Sequence, residues 1–250
     1  VNDSALGVIW ICLVFVLAGM YLFRVLARFG VFSAEYRVSA TERLASDVTR
    51  IRMSPTDTAL APGCSQFAFF RRGLWASARP FTISGFDADT GEMAITVRAV
   101  GRVSTGLQNV RPGEPMYVDG PYGVFGIDAL EGRRPIVMIA GGIGITAFKR
   151  MTERLAREPE REAHLFYGSR RADQIIYEDE IDVHVISEDP DYPGEKGFIT
   201  TDLMQRYLTQ PLHHYDVLLC GPPVMIRKLE SALRTEGVPS AQIHHELFDY

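Results

Sequence analysis

Four short segments of this 250-residue chain combine residue types that could do chemistry. Gly141-Gly142-Ile143-Gly144-Ile145-Thr146 follows an apolar run and opens a stretch of helical periodicity. Glycines at such a place let backbone N–H groups approach a pyrophosphate, and a helix N-terminus favours the anion. Taken alone the same residues also make a plain tight turn; their placement between a strand and a helix favours the ligand. Leu219-Cys220-Gly221-Pro222-Pro223 is a second such turn, with proline at the first helical positions. Cys220 alone reads as an inert buried thiol, but ligands of parallel sheets lie beyond the strands' carboxyl ends, so two glycine turns in one sheet define one crevice. Arg79-Pro80-Phe81-Thr82-Ile83-Ser84 puts a cation, an aromatic ring and two hydroxyls on one strand. Alternation sends Arg79, Phe81 and Ile83 to one face, where a phosphate contact and a ring contact could share a ligand. Gly120-Pro121-Tyr122-Gly123 is, by itself, a turn.

The elements that must position these segments come in two grammars. Residues 36–119 read as short strands separated by Gly, Pro and Asp, with alternation plain in Met93, Ile95, Val97 and Ala99. Strands at this spacing predict a small antiparallel β-barrel. From Pro135 onward buried strands alternate with amphipathic helices, which predicts an α/β doubly wound parallel sheet. The boundary falls in the polar stretch near 127–134, giving a barrel over 31–129 and an α/β domain over 130–250.

Composition narrows the rest. Net charge is −5 with scattered basic residues, so nothing points to a nucleic-acid partner. The three cysteines lie too far apart for a zinc site or a plant-type iron–sulfur cluster. Between Asp3 and Arg24 there is no charge, and residues 5–23 are apolar or small throughout. Such a run reaches roughly 28 Å as a helix, close to a bilayer core. Asp3 precedes it and Arg24 and Arg28 follow it, the reverse of a signal peptide. The reading is therefore a transmembrane helix with its linker over 1–30, with the domains after it on the cytoplasmic side of a membrane.

The four segments together resemble the ferredoxin–NADP reductase superfamily, and within it the membrane branch of ferric reductases and NADPH oxidases. The resemblance covers residues 36–250, in the order RPFT, GPYG, GGIGIT, YGSR, CGPP, then a carboxylate and aromatics at the C-terminus. It implies a barrel that binds FAD and a sheet that binds NADP. By the resemblance Arg79 holds the FAD pyrophosphate, Phe81 packs on the flavin and Thr82 hydrogen-bonds flavin N5. Arg98, Ser104 and Thr105 fall where the family's second flavin-phosphate segment lies. Gly141, Gly142, Gly144 and Thr146 cradle the nicotinamide dinucleotide's pyrophosphate, and Cys220 and Gly221 sit near the nicotinamide ring. Glu246 matches the C-terminal carboxylate, and Phe248 or Tyr250 the aromatic that covers the isoalloxazine. Ala147 stands where the family usually has Pro, and Cys64-Ser65 are two extra residues inside what is usually PGQF.

The implied activity is flavin-dependent oxidation of NAD(P)H, with Thr82, Cys220, Glu246 and Phe248 at the reacting groups. In the membrane branch the next acceptor is haem, but the apolar helix has no histidine, so haem belongs to segments outside this chain. The chain opens with Val rather than Met, compatible with residues upstream. An anchored flavin reductase serving a soluble oxygenase or electron carrier is the alternative; a nucleotide sensor without turnover is a third reading, which flavin bleaching by NAD(P)H would exclude. For the nicotinamide cofactor, Tyr167-Gly168-Ser169-Arg170-Arg171 ends the second parallel strand with no carboxylate until Asp173. NADPH is expected over NADH, with Ser169, Arg170 and Tyr177 as contacts for the 2′-phosphate. One connection looks too short: YEDEI reads as the end of a helix, yet DVHVIS follows with no turn residues, so either the loop is naturally deleted or, as the favoured expectation, residues are missing between Ile181 and Asp182.

Overall fold

The computed structural model describes residues 3–28, 33–73 and 76–247. Helix α1 (Asp3–Arg28) comes first, and its described apolar side chains are exposed, Phe15 at 74% and Tyr21 at 73%. The expected membrane location, with the domains on its cytoplasmic side, is corrected here: among the described residues no helix is long and apolar enough to cross a membrane.

Six strands then close a barrel: β1 (Ala34–Ala45), β2 (Val48–Pro55), β3 (Phe67–Arg71), β4 (Arg79–Phe86), β5 (Met93–Arg98) and β6 (Pro115–Tyr122), in the order β1-β2-β5-β4-β3-β6. Every pairing is antiparallel. The short strands expected over 36–119 are present, with one short helix, α2 (Arg102–Leu107), between β5 and β6. Tyr36, Ile51, Met53, Ile83, Met93, Ile95 and Val97 fill the interior. Alternation then turns Thr82, Ser84 and Thr96 outward, and these are buried as well. The outer face of β4 and β5 is therefore covered, and what covers it is the second domain.

That domain begins with α3 (Ile127–Glu131) and continues as β7 (Ile136–Gly141), α4 (Lys149–Leu155), β8 (Ala163–Ser169), β9 (Val183–Ile186), β10 (Glu195–Lys196), α5 (Thr201–Gln205), β11 (Asp216–Gly221), α6 (Pro223–Thr235) and β12 (Ile243–Leu247). The sheet order is β10-β9-β8-β7-β11-β12, parallel at every pair. Along β7, Ile136, Met138 and Ala140 face α3 and α4, while Val137 and Ile139 face α5 and α6, so both faces are helix-covered as a near-continuous apolar strand demands. Val48 of the barrel joins the core on the α3–α4 side, so the two domains share apolar packing.

The connection from β8 to β9 is completed by the residues present, which corrects the expectation of a gap after Ile181. Residues 170–182 form two single-turn 3₁₀ segments, Ala172–Gln174 and Glu178–Glu180, rather than a helix. The Asp182 N–H then donates to the Leu165 carbonyl and its carboxylate accepts from the Leu165 N–H, seating β9 beside β8. About a dozen residues suffice for such a crossover when none is spent on a full helix.

Candidate active site

Beyond the carboxyl ends of β7 and β11 two turns meet, at the point where the strand order reverses. A Cβ placed on Gly144 would lie 2.3 Å from the Cys220 carbonyl oxygen, and one on Gly141 would lie 2.8 Å from Pro222 Cδ. Gly144 is thus a glycine because the two turns pack backbone against backbone, whereas at Gly141 the space is taken by the Pro222 ring and the Met225 side chain. Gly142 is different. It has φ +55 and is only half-buried, and a Cβ there would come within 3.0 Å of Arg98 Nη1. The expected single helix after β7 is instead a 3₁₀ segment (Gly142–Ala147) followed by α4. Thr146 is buried and its hydroxyl donates to the Ile143 carbonyl at 3.0 Å, so that hydroxyl is already engaged inside the turn.

Strand β12 pairs with β11 in parallel and brings Glu246 opposite Cys220. Burial pushes the Cys220 thiol well up, and pushes Glu246 up to about 7. Glu246 Oε2 is buried with no hydrogen-bond partner among the described residues. A carboxyl that changes charge near neutrality, next to the strand end that carries the fully buried Cys220, can hold or release a proton there. Phe248 and Tyr250 lie outside the described residues.

On the barrel side, β4 packs against the 142–147 turn and α4. Thr82 is 4% exposed on the face turned toward that turn. Phe81 points the other way, packed on the barrel core with its ring 6.1 Å from that of Phe70, as alternation requires. Arg79, at the start of β4, is exposed. Ser104 caps its own loop: its hydroxyl accepts from the N–H groups of Val100 and Gly101 and donates to the Gly101 carbonyl. Thr105 next to it is exposed.

Arg98 spans the two domains. It extends from β5 to within reach of Gly142 and of Tyr167 at the end of β8, whose phenol burial pushes up to about 12 against the pull of Arg98. Asp47 lies 3.3 Å from Arg98 Nε, yet Nε and Nη2 are buried without an aligned hydrogen-bond partner and so is Asp47 Oδ1. A mostly buried guanidinium that is paired with Asp47 at 3.3 Å but has no aligned hydrogen bond at Nε or Nη2, beside a glycine that a Cβ would crowd, has donors to offer an anionic phosphate. FAD therefore fits the residues present.

The residues expected to read the adenosine end are placed apart from one another. Arg170 is exposed, with Nε 3.6 Å from Glu188 Oε1. Arg171 donates from Nε and Nη2 to Asp173, each at 3.0 Å. An open pocket of about 500 Å³ is lined by Arg171, Ala172, Asp173, Glu188 and Asp189. Ser169 is buried and its hydroxyl donates to the Arg171 carbonyl at 3.3 Å. Tyr177 does not join this group: its hydroxyl hydrogen-bonds Thr96 of the barrel, and Lys149 Nζ lies 5.6 Å from its ring centroid.

Sequence reasoning missed several of these partners. Asp47, Glu188 and Thr96 lie outside the motifs they touch and no local spacing marks them, and nothing in the segment that begins with Tyr167 marks its approach to Arg98. The signal for the Cys64-Ser65 insertion was visible, but its use was not. Ser65 has φ +57 and donates to the Phe125 carbonyl, Cys64 Sγ reaches the Arg150 carbonyl, and Arg150 donates to the Pro62 and Gly63 carbonyls. The two extra residues fasten the barrel loop to α4.

Known proteins bear on the same residues. A family model described as an oxidoreductase NAD-binding domain matches residues 138–231. The toluate 1,2-dioxygenase electron transfer component of Pseudomonas putida is 27% identical over 186 residues, covering 68% of this chain and 54% of that protein. NADH-cytochrome b5 reductase 1 of Aspergillus fumigatus is 28% identical over 193 residues, covering 68% and 62%. Among solved structures, the ferredoxin reductase in carbazole 1,9a-dioxygenase superposes with a TM-score of 0.76 at 26% identity, over 87% of this chain and 69% of that one. The chain spans less than two thirds of the length of these two curated relatives. Fold, motif order and similarity support the ferredoxin reductase-like FAD/NAD-binding superfamily, whose members named here are oxidoreductases. The membrane ferric reductase and NADPH oxidase branch expected from the sequence is not what these relatives are.

Proposed function

We propose that this chain, a ferredoxin reductase-like FAD- and NAD(P)H-dependent oxidoreductase, takes electrons from NADH and hands them to a separate oxygenase component or electron carrier. The carrying observation is the crevice itself: two glycine turns packed together at the strand-order switch, with β4 of the barrel against them. The bound cofactors supply hydride acceptance and one-electron release. The protein supplies the alignment. Arg98, with Arg79 at the exposed rim, holds the flavin phosphates, and Thr82 presents its hydroxyl to the ring edge. Gly142 gives the second dinucleotide backbone N–H contact. Cys220 excludes water as a neutral thiol, and Glu246 holds a proton at its carboxyl near neutral pH.

The choice of NADH rests on charge at the adenosine pocket and reverses the preference expected from the arginines alone. Three carboxylates and one arginine line it, and both nearby arginines already face carboxylates. A 2′-phosphate carries close to −2 and is repelled there, whereas a ribose 2′-hydroxyl can donate to Asp173, Glu188 or Asp189. Similarity to oxygenase electron transfer components and to an NADH-cytochrome b5 reductase supports the acceptor class and the cofactor alike. The test is anaerobic mixing of the FAD-loaded protein with each nicotinamide. Bleaching of the visible flavin absorbance by NADH, and more slowly by NADPH, is expected. No bleaching by either overturns the reading, and faster bleaching by NADPH overturns the cofactor assignment. Reoxidation by ferredoxin or cytochrome b5 faster than by a ferric chelate is the matching outcome for the acceptor.

A further inference from the structure

A chain of three hydroxyls crosses from the sheet domain into the barrel, and its proton count is consistent with one polarity when Ser84 gives its proton to the Ala94 carbonyl. Ser84 is fully buried on β4 and donates to the Ala94 carbonyl at 3.3 Å. Its oxygen lies 3.0 Å from the hydroxyl of Thr96 on β5, itself 4% exposed, and Thr96 in turn meets the phenol of Tyr177. Each hydroxyl has one proton. With the Ser84 proton on Ala94, Thr96 donates to Ser84 and Tyr177 donates to Thr96.

Tyr177 is held at an unusual backbone angle to do so. It has φ +58, and the other non-glycine residue with positive φ among the described residues is Ser65, whose hydroxyl donates to the Phe125 carbonyl. Such conformations cost about 1 kcal/mol or more and persist where the surroundings enforce them. The enforcement comes from α4. Glu180, three residues on, accepts from Lys149 Nζ and from the Thr152 hydroxyl, and Lys149 lies against the Tyr177 ring. α4 is the helix that follows the glycine turn of β7, while Ser84 shares with Thr82 the face of β4 that is turned toward that turn.

We propose that Tyr177 is a positioning residue, whose phenol ties the nicotinamide-binding sheet through Thr96 and Ser84 to the strand carrying Thr82 and so sets the separation across which nicotinamide and flavin face each other. The inference rests on the oxidoreductase reading above. Tyr177 touches neither reacting group itself; it acts on the distance between the elements that hold them, to which transfer between bound groups is steeply sensitive.

Tyr177→Phe keeps the ring and removes only the proton donor. In the FAD-loaded protein, stopped-flow reduction by saturating NADH should slow at least tenfold, while the dissociation constants of FAD and NADH change less than twofold. In flavin-free protein, hydrogen exchange should accelerate across 172–182 and leave β7 and β11 unaffected. Thr96→Val should reproduce both effects, and combining the two substitutions should add nothing further. A Tyr177→Phe protein with a wild-type reduction rate overturns the proposal, as does a slowing matched by an equal loss of cofactor affinity. If wild-type protein is not reduced at all, the reading of function fails, not the clasp alone.

Discussion

The two sides of the crevice are built from different materials. The sheet side is largely backbone: at Gly144 a Cβ would meet the Cys220 carbonyl, and at Gly221 one would come within 3.0 Å of the Gly141 backbone. The barrel side is side chain: Thr82, Ser84, Thr96 and Arg98 are buried polar groups pointing out of a barrel toward the sheet. Backbone packing at sub-contact spacing has no slack, because a Cβ collides with atoms that cannot rotate away. Buried polar side chains fail differently. They lose a partner or a charge while the frame stands. The sheet side should therefore answer substitution with stability, and the barrel side with affinity and rate.

The largest effect should follow Gly144→Ala, whose new methyl would meet the Cys220 carbonyl. A loss of roughly 3 kcal/mol in urea unfolding is expected, at the upper end of overpacking penalties, and a loss below about 1 kcal/mol breaks the backbone half of the comparison. Gly142→Ala meets only the movable end of Arg98 and should cost nearer 1 kcal/mol, the strain of positive φ.

Arg98→Ala comes next. Its guanidinium is the charge-assisted phosphate partner, worth about 1.5–3 kcal/mol, so FAD should bind at least tenfold more weakly in a fluorescence titration with the fold retained. Arg79→Ala should also weaken FAD, but less, since Arg79 is exposed and Arg98 is mostly buried. Equal loss at the two positions would remove the special place given to the domain-spanning arginine.

A pH test sharpens the proton role of Glu246. Its carboxyl is pushed up to about 7 in the fold, against an ordinary value near 4.5. A raised carboxyl adds stability in full below its unfolded value and loses it as pH rises through the folded one. Wild-type stability relative to Glu246→Gln should thus fall between about pH 4.5 and 7, by roughly 1–3 kcal/mol. Urea midpoints of both proteins across that range measure it; parallel curves would show an unperturbed carboxyl. The smallest effect belongs to Ser104→Ala. Its hydroxyl caps a loop, so about 1 kcal/mol of stability should go while FAD affinity stays within twofold, and a large affinity loss would return Ser104 to the phosphate site.

Much of the frame is legible in the chain. The barrel strands are marked by Gly, Pro and Asp punctuation and, over 93–99, by alternation; the parallel sheet is marked by apolar runs, because an element buried on one face or two must write that burial into its own period. The two glycine turns are legible for the same local reason: close approach and tight turning demand residues without a Cβ. The short connection after Tyr177 is not legible in the chain, because helical composition in YEDEI does not reveal that the segment makes one 3₁₀ turn. The apolar run of α1 shows why hydropathy alone is a weak guide: it led to a membrane location that the described structure does not support.

What the sequence by itself determined is the pair of domains, their order and the placement of Gly141, Gly142, Gly144, Thr82 and Cys220 at strand ends and faces. Only the tertiary structure decided that Arg98 bridges to Gly142, that Arg170 and Arg171 face Glu188 and Asp173, and that Tyr177 reaches Thr96 rather than an adenosine phosphate. Those pairings join residues distant in the chain across a domain interface. Local propensity and periodicity constrain a residue's own turn or strand, whereas the partner of a buried charge or hydroxyl is chosen by how the finished surfaces meet.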